Sequence, residues 1–150
     1  MQIWNQDIAK HKNDNRWARW KDEYIAYNKN DEAATFVVLL KNKPIGQVTI
    51  LFSPKCKAVK NKPLLCDGEK IANFNEFRIE KEFEGEGHIS KLVKMAEKYA
   101  KEKGFDYLTI GTEAKETRNL SIYFHFGFDK FVMHEFDKDE NNELIVYYKK

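Results

Sequence analysis

The sequence predicts an α/β domain built on a mixed sheet. Three observations lead to this prediction: short β-rich runs, two segments with helical periodicity, and an order in which strands and helices alternate in the second half of the chain. At 150 residues the chain has the size of one domain, and 42% hydrophobic residues suit an ordinary soluble globule. We therefore expect residues 1–150 to form a single domain.

The first fifty residues predict a helical segment followed by a hairpin. Residues 35–40 ("TFVVLL") and 45–52 ("IGQVTILF") are β-rich and are joined by "KNKP", so we expect antiparallel neighbours. Before them, residues 7–30 carry aromatic side chains at helical spacing and predict one or two short helices. These aromatic residues are Trp17, Trp20, Tyr24 and Tyr27.

Residues 53–70 predict a long exposed excursion. This stretch contains two prolines, five lysines and a closing "DG". Its two cysteines, Cys56 and Cys66, lack the C-x-x-C spacing of a zinc site, so we expect free thiols.

The run "IANFNEFRIEKEF" predicts a strand with an irregularity. Phe74 lies three residues before Phe77, whereas Phe77 lies two before Ile79. Because a strand alternates with a period of two, we expect an extra residue near Asn75 and Glu76, accommodated as a β-bulge.

The second half predicts two helices and three strands. Apolar residues at positions 89, 92, 93, 96, 99 and 100 follow helical spacing, and Gly104 supplies a C-terminal stop. "YLTIG" is then a short buried strand, "AKETRNLSIYFHFG" a helix that ends at Gly127, and "FDKFVMHEF" with "NELIVYY" a terminal strand pair.

Charge and hydropathy restrict the partners. The formal net charge is only +2, so the chain lacks the one-sided charge of a nucleic-acid or polybasic membrane binder. The N-terminus is polar and has no apolar leader segment, and no stretch reaches the apolar length that spans a bilayer. We expect a cytoplasmic protein with no nucleic-acid or membrane partner.

Gly85 and Gly87 precede the more regular helix. A strand that runs into Gly-x-Gly and then into a helix exposes backbone N–H groups at the positive end of the helix dipole, and these groups can hold a pyrophosphate. Alternatively, the glycines only relieve steric strain in a strand-to-helix turn. Taken alone, two glycines favour this alternative.

Two motifs that follow one another in the sequence favour the phosphate site over the plain turn. The segments "FEGEGHISKLV" and, after a short strand, "NLSIYFHFGF" resemble the acetyl-CoA site of the GNAT superfamily of N-acetyltransferases, in which Arg-x-x-Gly-x-Gly/Ala opens a central helix and a later helix ends in Tyr-x-x-x-Gly-Phe. Gly85 and Gly87 lie at glycine positions of the loop, and Tyr123, Gly127 and Phe128 match the second pattern. The resemblance covers most of the chain from residue 35 onward. It implies a GNAT-like mixed, mostly antiparallel sheet flanked by helices.

The resemblance also implies a coenzyme site for acetyl-CoA as cosubstrate. The sequence departs from the family at Glu84, where the loop has arginine, and at Ile89, where it has Gly or Ala. The family's asparagine falls on Glu116, with Asn119 about one turn later. The expected coenzyme contacts are Phe77, Arg78, Ile79, Glu84, Gly85, Glu86, Gly87, His88, Ile89, Ser90, Asn119 and Tyr123.

The catalytic candidates are Tyr123 and Glu76. Tyr123 matches the family's tyrosine that protonates the leaving thiolate, which a phenol with a pKa near 10 can do; alternatively it is a buried aromatic residue. Glu76, beside the expected bulge, is the candidate base for the ammonium proton, or else a solvated strand glutamate. Backbone N–H groups of residues 77–79 would face the acetyl carbonyl.

Other residues remain candidates without a decisive pattern. His88, His125 and His134 could serve as bases, because histidine is a residue type suited to proton transfer near neutral pH, but spacing selects none of them and shows no metal-ligand pattern, so we expect no metal. By the resemblance, the aromatic residues of the N-terminal helices wall the acceptor pocket, although such spacing also suits core packing.

We therefore expect an N-acetyltransferase that acts on a primary amine of a small molecule or peptide, directly from acetyl-CoA in a ternary complex. A binding module of the same fold is the alternative, and Glu84 and Ile89 favour it. A dinucleotide-binding oxidoreductase is set aside, because Ser90 takes the place of the third glycine and antiparallel strands precede the turn. The acceptor's identity and the occurrence of a homodimer stay open.

Overall fold

The fold is known from a computed structural model that describes residues 16–138 and 141–150; the side chains of residues 16–20 and of Glu76 are outside the described set. The predicted element order is confirmed, while the part of the predicted N-terminal helical segment before Arg16 lies outside the described residues. Single turns of 3₁₀ helix occur at Lys57–Val59 and Lys81–Phe83. The main elements are α1 (Arg16–Lys29), β1 (Ala33–Leu40), β2 (Lys43–Leu51), β3 (Ile71–Ile79), α2 (His88–Glu102), β4 (Tyr107–Glu113), α3 (Thr117–His125), β5 (Lys130–Asp137) and β6 (Glu143–Lys149).

The described strands form one six-stranded sheet in the order β1-β2-β3-β4-β6-β5. β3 and β4 are parallel, whereas the other four neighbouring pairs are antiparallel. The predicted mixed, mostly antiparallel sheet is therefore confirmed. The parallel pair lies at the centre, where the chain crosses over through α2.

The β1–β2 hairpin is tighter than the sequence suggested. Lys41 and Asn42 have φ values of 50° and 66°, so both central residues adopt the left-handed conformation that a two-residue hairpin turn needs. The strand β2 then begins before Pro44, which pairs with Leu39 at an irregularity in the register. The irregularity explains how a proline fits inside the strand, because it relaxes the ladder at that point.

Two core clusters cover the two faces of the sheet. On one face, α2 buries Leu92, Val93, Ala96 and Ala100 against strand residues such as Phe74. This burial confirms the helical pattern, and Gly104, with a φ of 97°, follows the last turn. The alternate strand residues point to the other face, where α1 packs.

The segment 53–70 is irregular and mostly exposed, as predicted, but it also contributes buried side chains to the core of that second face, which the prediction missed. Cys56, Val59, Leu65 and Cys66 are each at most 1% exposed and pack with Tyr24 of α1. These buried positions are irregularly spaced among exposed residues, and so they leave no periodic signal. Both cysteines are free, as predicted.

Candidate functional site

The central strands separate halfway along their length. The parallel register of β3 and β4 ends at Phe74 opposite Ile110, although β3 continues to Ile79 and β4 to Glu113. On the other side of β3, Gln47 pairs with Arg78 and Thr49 with Asn75, so Val48 faces two residues. Glu76 and Phe77 thus form the predicted bulge, which is confirmed. The bulge bends β3 away from β4 and leaves the edge that faces β4 without a ladder partner.

A cleft of about 320 Å³ opens where the strands separate. Side chains of both strands, of α3 and of the terminal pair line it. These residues are Asn73, Phe74, Asn75, Phe77, Ile110, Gly111, Thr112, Tyr123, Asp137, Ile145 and Tyr147.

Tyr123 of α3 lies at this cleft. Its ring meets Phe77 edge-on, with 6.4 Å between ring centroids, so helix and bulge are in contact. Burial raises the pKa of Tyr123 to about 12 because the phenolate would lose its hydration. The hydroxyl therefore keeps its proton at neutral pH, as a proton donor must.

The glycine turn opens α2 with free backbone amides. Gly85 and Gly87 have φ values of 81° and 85°, and Gly87 is the N-cap residue without a side-chain cap. Among the described residues, apart from the immediate chain neighbours of each glycine, no atom lies within 4 Å of the position that a β-carbon would take at either one. Neither glycine places a β-carbon in this space, so an anion could approach the amide groups closely.

A second cavity of about 430 Å³ lies between this turn and α3. Six of the expected coenzyme residues line it: Glu84, Gly85, Gly87, His88, Ile89 and Ser90. The remaining lining residues are Phe83 and, in α3 or directly after it, Arg118, Ser121, Ile122, His125 and Phe126. Arg118 makes an ion pair with Glu84 across the cavity.

A third cavity of about 450 Å³ lies on the face that carries α1. It shares Asn73, Asn75, Asp137 and Tyr147 with the cleft between the strands, so the two spaces adjoin. The remaining lining residues are Glu23, Tyr24, Tyr27, Lys57, Ala58, Lys62, Glu135, Phe136 and Lys138.

A chain of hydrogen bonds fixes the asparagines between these spaces. The Tyr24 hydroxyl donates to Oδ1 of Asn75 (2.8 Å), and the Asn75 amide donates to Oδ1 of Asn73 (3.3 Å). The Asn73 amide donates in turn to Oγ1 of Thr109 (2.9 Å), whose hydroxyl donates to the Leu65 carbonyl (2.7 Å). The network connects α1, the bulged strand and the segment 53–70, and it holds both amides in defined orientations.

Tyr147 of β6 lies at the boundary between the cleft and the cavity on the α1 face. Its hydroxyl donates to Oε1 of Glu135 (2.6 Å), which also accepts from Nζ of Lys62 (2.8 Å). Burial and the bond to Glu135 raise the pKa of Tyr147 well above its ordinary value. Burial also acts on Glu135, but the two donors outweigh it and lower the pKa of its carboxyl.

Several predicted residues lie outside the three cavities. Arg78 and Ile79 pair with β2, and burial lowers the pKa of the Arg78 guanidinium to about 10. Asn119 donates to Oγ1 of Thr112 (3.3 Å), and Glu86 is exposed. The backbone of Glu76 is at the bulge, but its side chain is outside the described set.

The histidines and the aromatic residues of α1 divide between the cavities. Of the histidines in the described part of the chain, His88 and His125 line the cavity at the glycine turn, whereas His134 stacks on Phe131 at an exposed position of β5. Tyr24 and Tyr27 line the cavity near α1, while the side chains of Trp17 and Trp20 are outside the described set.

Three further residues had no role in the sequence prediction: Tyr147, Glu135 and Arg118. The one local signal was Gly111, a glycine inside a strand, which indicates a close approach of another group. That group is the Tyr147 ring.

Within the described residues, no group of three or more His, Cys, Asp or Glu side chains is arranged to hold a metal ion. None of the described helices is both long and apolar enough to cross a bilayer.

Comparison with known proteins agrees with this geometry. Residues 2–128 match the model of the acetyltransferase (GNAT) family, and the chain belongs to this family. It is 25% identical over 115 residues to an uncharacterized N-acetyltransferase of Methanocaldococcus jannaschii, an alignment that covers 77% of the chain but only 46% of the relative. The chain thus spans less than half the length of that relative.

Solved structures share the fold. A GNAT family acetyltransferase from Elizabethkingia anophelis with acetyl-CoA bound superimposes with a TM-score of 0.63 at 17% identity, covering 84% of the chain and 80% of that structure. The PaiA N-acetyltransferase of Thermoplasma acidophilum, in complex with coenzyme A, gives a TM-score of 0.59 at 15% identity, with coverage of 89% and 71%. At these identities the likeness concerns the fold.

Proposed function

We propose that the protein transfers an acetyl group from acetyl-CoA to a primary amine of a small molecule or peptide, by direct attack in a ternary complex. The observation that supports this most is the separation of β3 and β4 at the bulge. The gap adjoins a polar cavity on the α1 face, and the helix that supplies Tyr123 also lines the cavity at the glycine turn. Two reactants held on either side would meet at the gap.

The residues at the glycine turn fit a diphosphate. Backbone N–H groups of residues 85–90 would hold it, since the turn is open and starts a helix of 15 residues. The pantetheine arm would then lie in the cleft, beside Phe77. Acetyl-CoA supplies the activated thioester.

The chemistry follows from the neighbours of that cleft. The neutral amine nitrogen attacks the thioester carbon, and the oxyanion accepts hydrogen bonds from those backbone N–H groups of residues 77–79 that point into the gap instead of toward β2. The carbon–sulfur bond breaks, and the thiolate takes the Tyr123 proton. The proton that the amine loses goes to Glu76, directly or through water.

A coenzyme-binding module without catalysis is the second candidate function. The Glu84 carboxylate favours it, since it lines the cavity that a diphosphate would enter and adds a like charge there.

Two measurements separate these functions. Thermal unfolding with saturating acetyl-CoA or CoA should raise the melting temperature, because a ligand that binds only the folded state stabilises it. A panel of amines with acetyl-CoA should then release free thiol. A thermal shift without thiol release from any amine would support the binding module, whereas no shift and no release would contradict both functions.

A further inference from the structure

We propose that Arg118 of α3 is the cation that binds the diphosphate of the coenzyme, and that Glu84 holds it at the mouth of the cavity until the coenzyme displaces the carboxylate. This inference rests on the proposed function, because it presumes that the cavity at the glycine turn takes a coenzyme. It concerns how a loop that carries a glutamate can still hold a phosphate.

The ion pair bridges the two walls of the cavity. Glu84 precedes Gly85 on the turn, and Arg118 lies in the first turn of α3, so the bond between Nη2 of Arg118 and Oε2 of Glu84 joins these two walls. The guanidinium is therefore held by the residue that directly precedes Gly85. A diphosphate on the amide groups of the turn would lie within reach of it.

The exchange of partners is favourable. Arg118 is 67% exposed and Glu84 31% exposed, and an ion pair so open to water contributes little stability. A phosphate offers the planar guanidinium two oxygens in the fork geometry it prefers. The carboxylate, once released, can turn into solvent, where its charge is screened.

The charges of the residues that line the cavity favour Arg118 as the phosphate-binding cation. Of the cavity residues in the described part of the chain, Arg118 alone carries a permanent positive charge. Both ring nitrogens of His88 are buried without a hydrogen-bond partner among the described residues, so they offer unused hydrogen-bonding capacity on the same wall. Loss of Arg118 should consequently weaken the coenzyme without removing the amide cradle.

The test is titration calorimetry of the full chain with CoA, 3′-dephospho-CoA and pantetheine. Arg118→Gln should weaken CoA and 3′-dephospho-CoA about tenfold or more, the loss expected for one charge-assisted contact, and should leave pantetheine unchanged. The dependence of CoA affinity on salt should also become flatter. Lys115→Gln is the matched control, because Lys115 pairs with Glu113 and Glu143 away from the cavity.

Glu84→Gln supplies the opposite test. It should tighten CoA several-fold, because it releases Arg118 and removes a like charge from the cavity. Glu82→Gln removes the same charge from an exposed position outside the lining and should not tighten CoA.

The outcomes separate this inference from the proposed function. Wild-type protein that gives no heat with CoA would contradict the function itself. Wild-type binding that Arg118→Gln does not weaken, or an equal loss for pantetheine, would overturn the role of Arg118 alone.

Discussion

Gly111 of β4 and Tyr147 of β6 face each other in the sheet, and the tyrosine ring lies directly against the glycine. A β-carbon at position 111 would be 2.4 Å from two ring carbons of Tyr147, which is far inside contact distance. Glycine is therefore required for the ring to lie flat at the boundary between the cleft and the α1-face cavity.

Gly111→Ala should displace the Tyr147 ring. We expect a loss of about 1 to 3 kcal/mol in the free energy of unfolding, the cost of overpacking, together with reduced acetylation. Urea denaturation measures the first and thiol release the second. In the double variant with Tyr147→Ala the clash is gone, so its loss should be smaller than the sum of the single losses; additivity would contradict the packing argument.

Tyr123→Phe should lower turnover roughly a hundredfold, because it removes the proposed general acid, with little change in CoA affinity. Since burial raises the pKa of Tyr123 to about 12, the wild-type rate should not fall through its ionisation below about pH 11. Stopped-flow thiol release and calorimetry measure the two quantities.

Tyr99→Phe is the control for that experiment. Tyr99 packs against Phe36 and Phe52 in the core, away from the cleft. Equal turnover of Tyr123→Phe and wild type would rule out Tyr123 as the proton donor.

Gly87→Val should abolish coenzyme binding. A β-branched residue is strained at a φ of 85°, and its side chain would occupy the approach to the amide cradle. Gly104→Val imposes the same strain at a φ of 97°, beyond the other end of α2. Each substitution should lower the free energy of unfolding by about 1 to 3 kcal/mol.

Calorimetry should therefore show loss of CoA binding for Gly87→Val and retained CoA binding for Gly104→Val, although the two variants have similar stabilities. Should either fail to fold, the Ala variants of both positions make the same comparison. Wild-type affinity in folded protein changed at position 87 would refute the assignment of the turn.

Asp67→Asn should destabilise the protein at neutral pH but not at low pH. Oδ1 of Asp67 accepts from the backbone N–H groups of Glu69, Lys70 and Ile71 at 2.8 to 2.9 Å. Burial acts to raise the pKa of Asp67, but these donors outweigh it and the pKa is lowered from 3.8. The contribution of the carboxylate is then present above pH 3.8 and is lost as the pH falls through the lower folded value.

Urea midpoints at pH 7 and at about pH 2 test this. At pH 7 the free energy of unfolding of Asp67→Asn should be about 1 kcal/mol below that of the wild type, and at the lower pH this difference should disappear. Asp106→Asn, at an exposed pair with Lys70, should change little at either pH. An equal loss of stability at both pH values would show that the charge of Asp67 is not the cause.

The sequence predicted those features whose signals are local. The period of α2, the glycines at its ends and the change of phase around Phe77 each arise within a few residues, and the structure contains all of them. The bulge could be located because a strand tolerates no odd spacing on one face.

Features that depend on non-sequential contacts were not predictable in this way. Tyr147 reaches the cleft because β6 lies between β4 and β5, and no pattern in its own strand indicates that order. The ion pair between Glu84 and Arg118 joins two elements that are 34 residues apart. The burial of four side chains of the segment 53–70 likewise depends on packing against α1.

The sheet itself separates the two spaces proposed for the reactants, because the glycine-turn cavity lies on the α2 and α3 face and the polar cavity on the α1 face. If the proposed function holds, a compound bound beside α1 would block the acceptor without competing with the coenzyme. Inhibitors for the two faces could occupy one molecule together, and joining them would require a linker thin enough to thread between two strands.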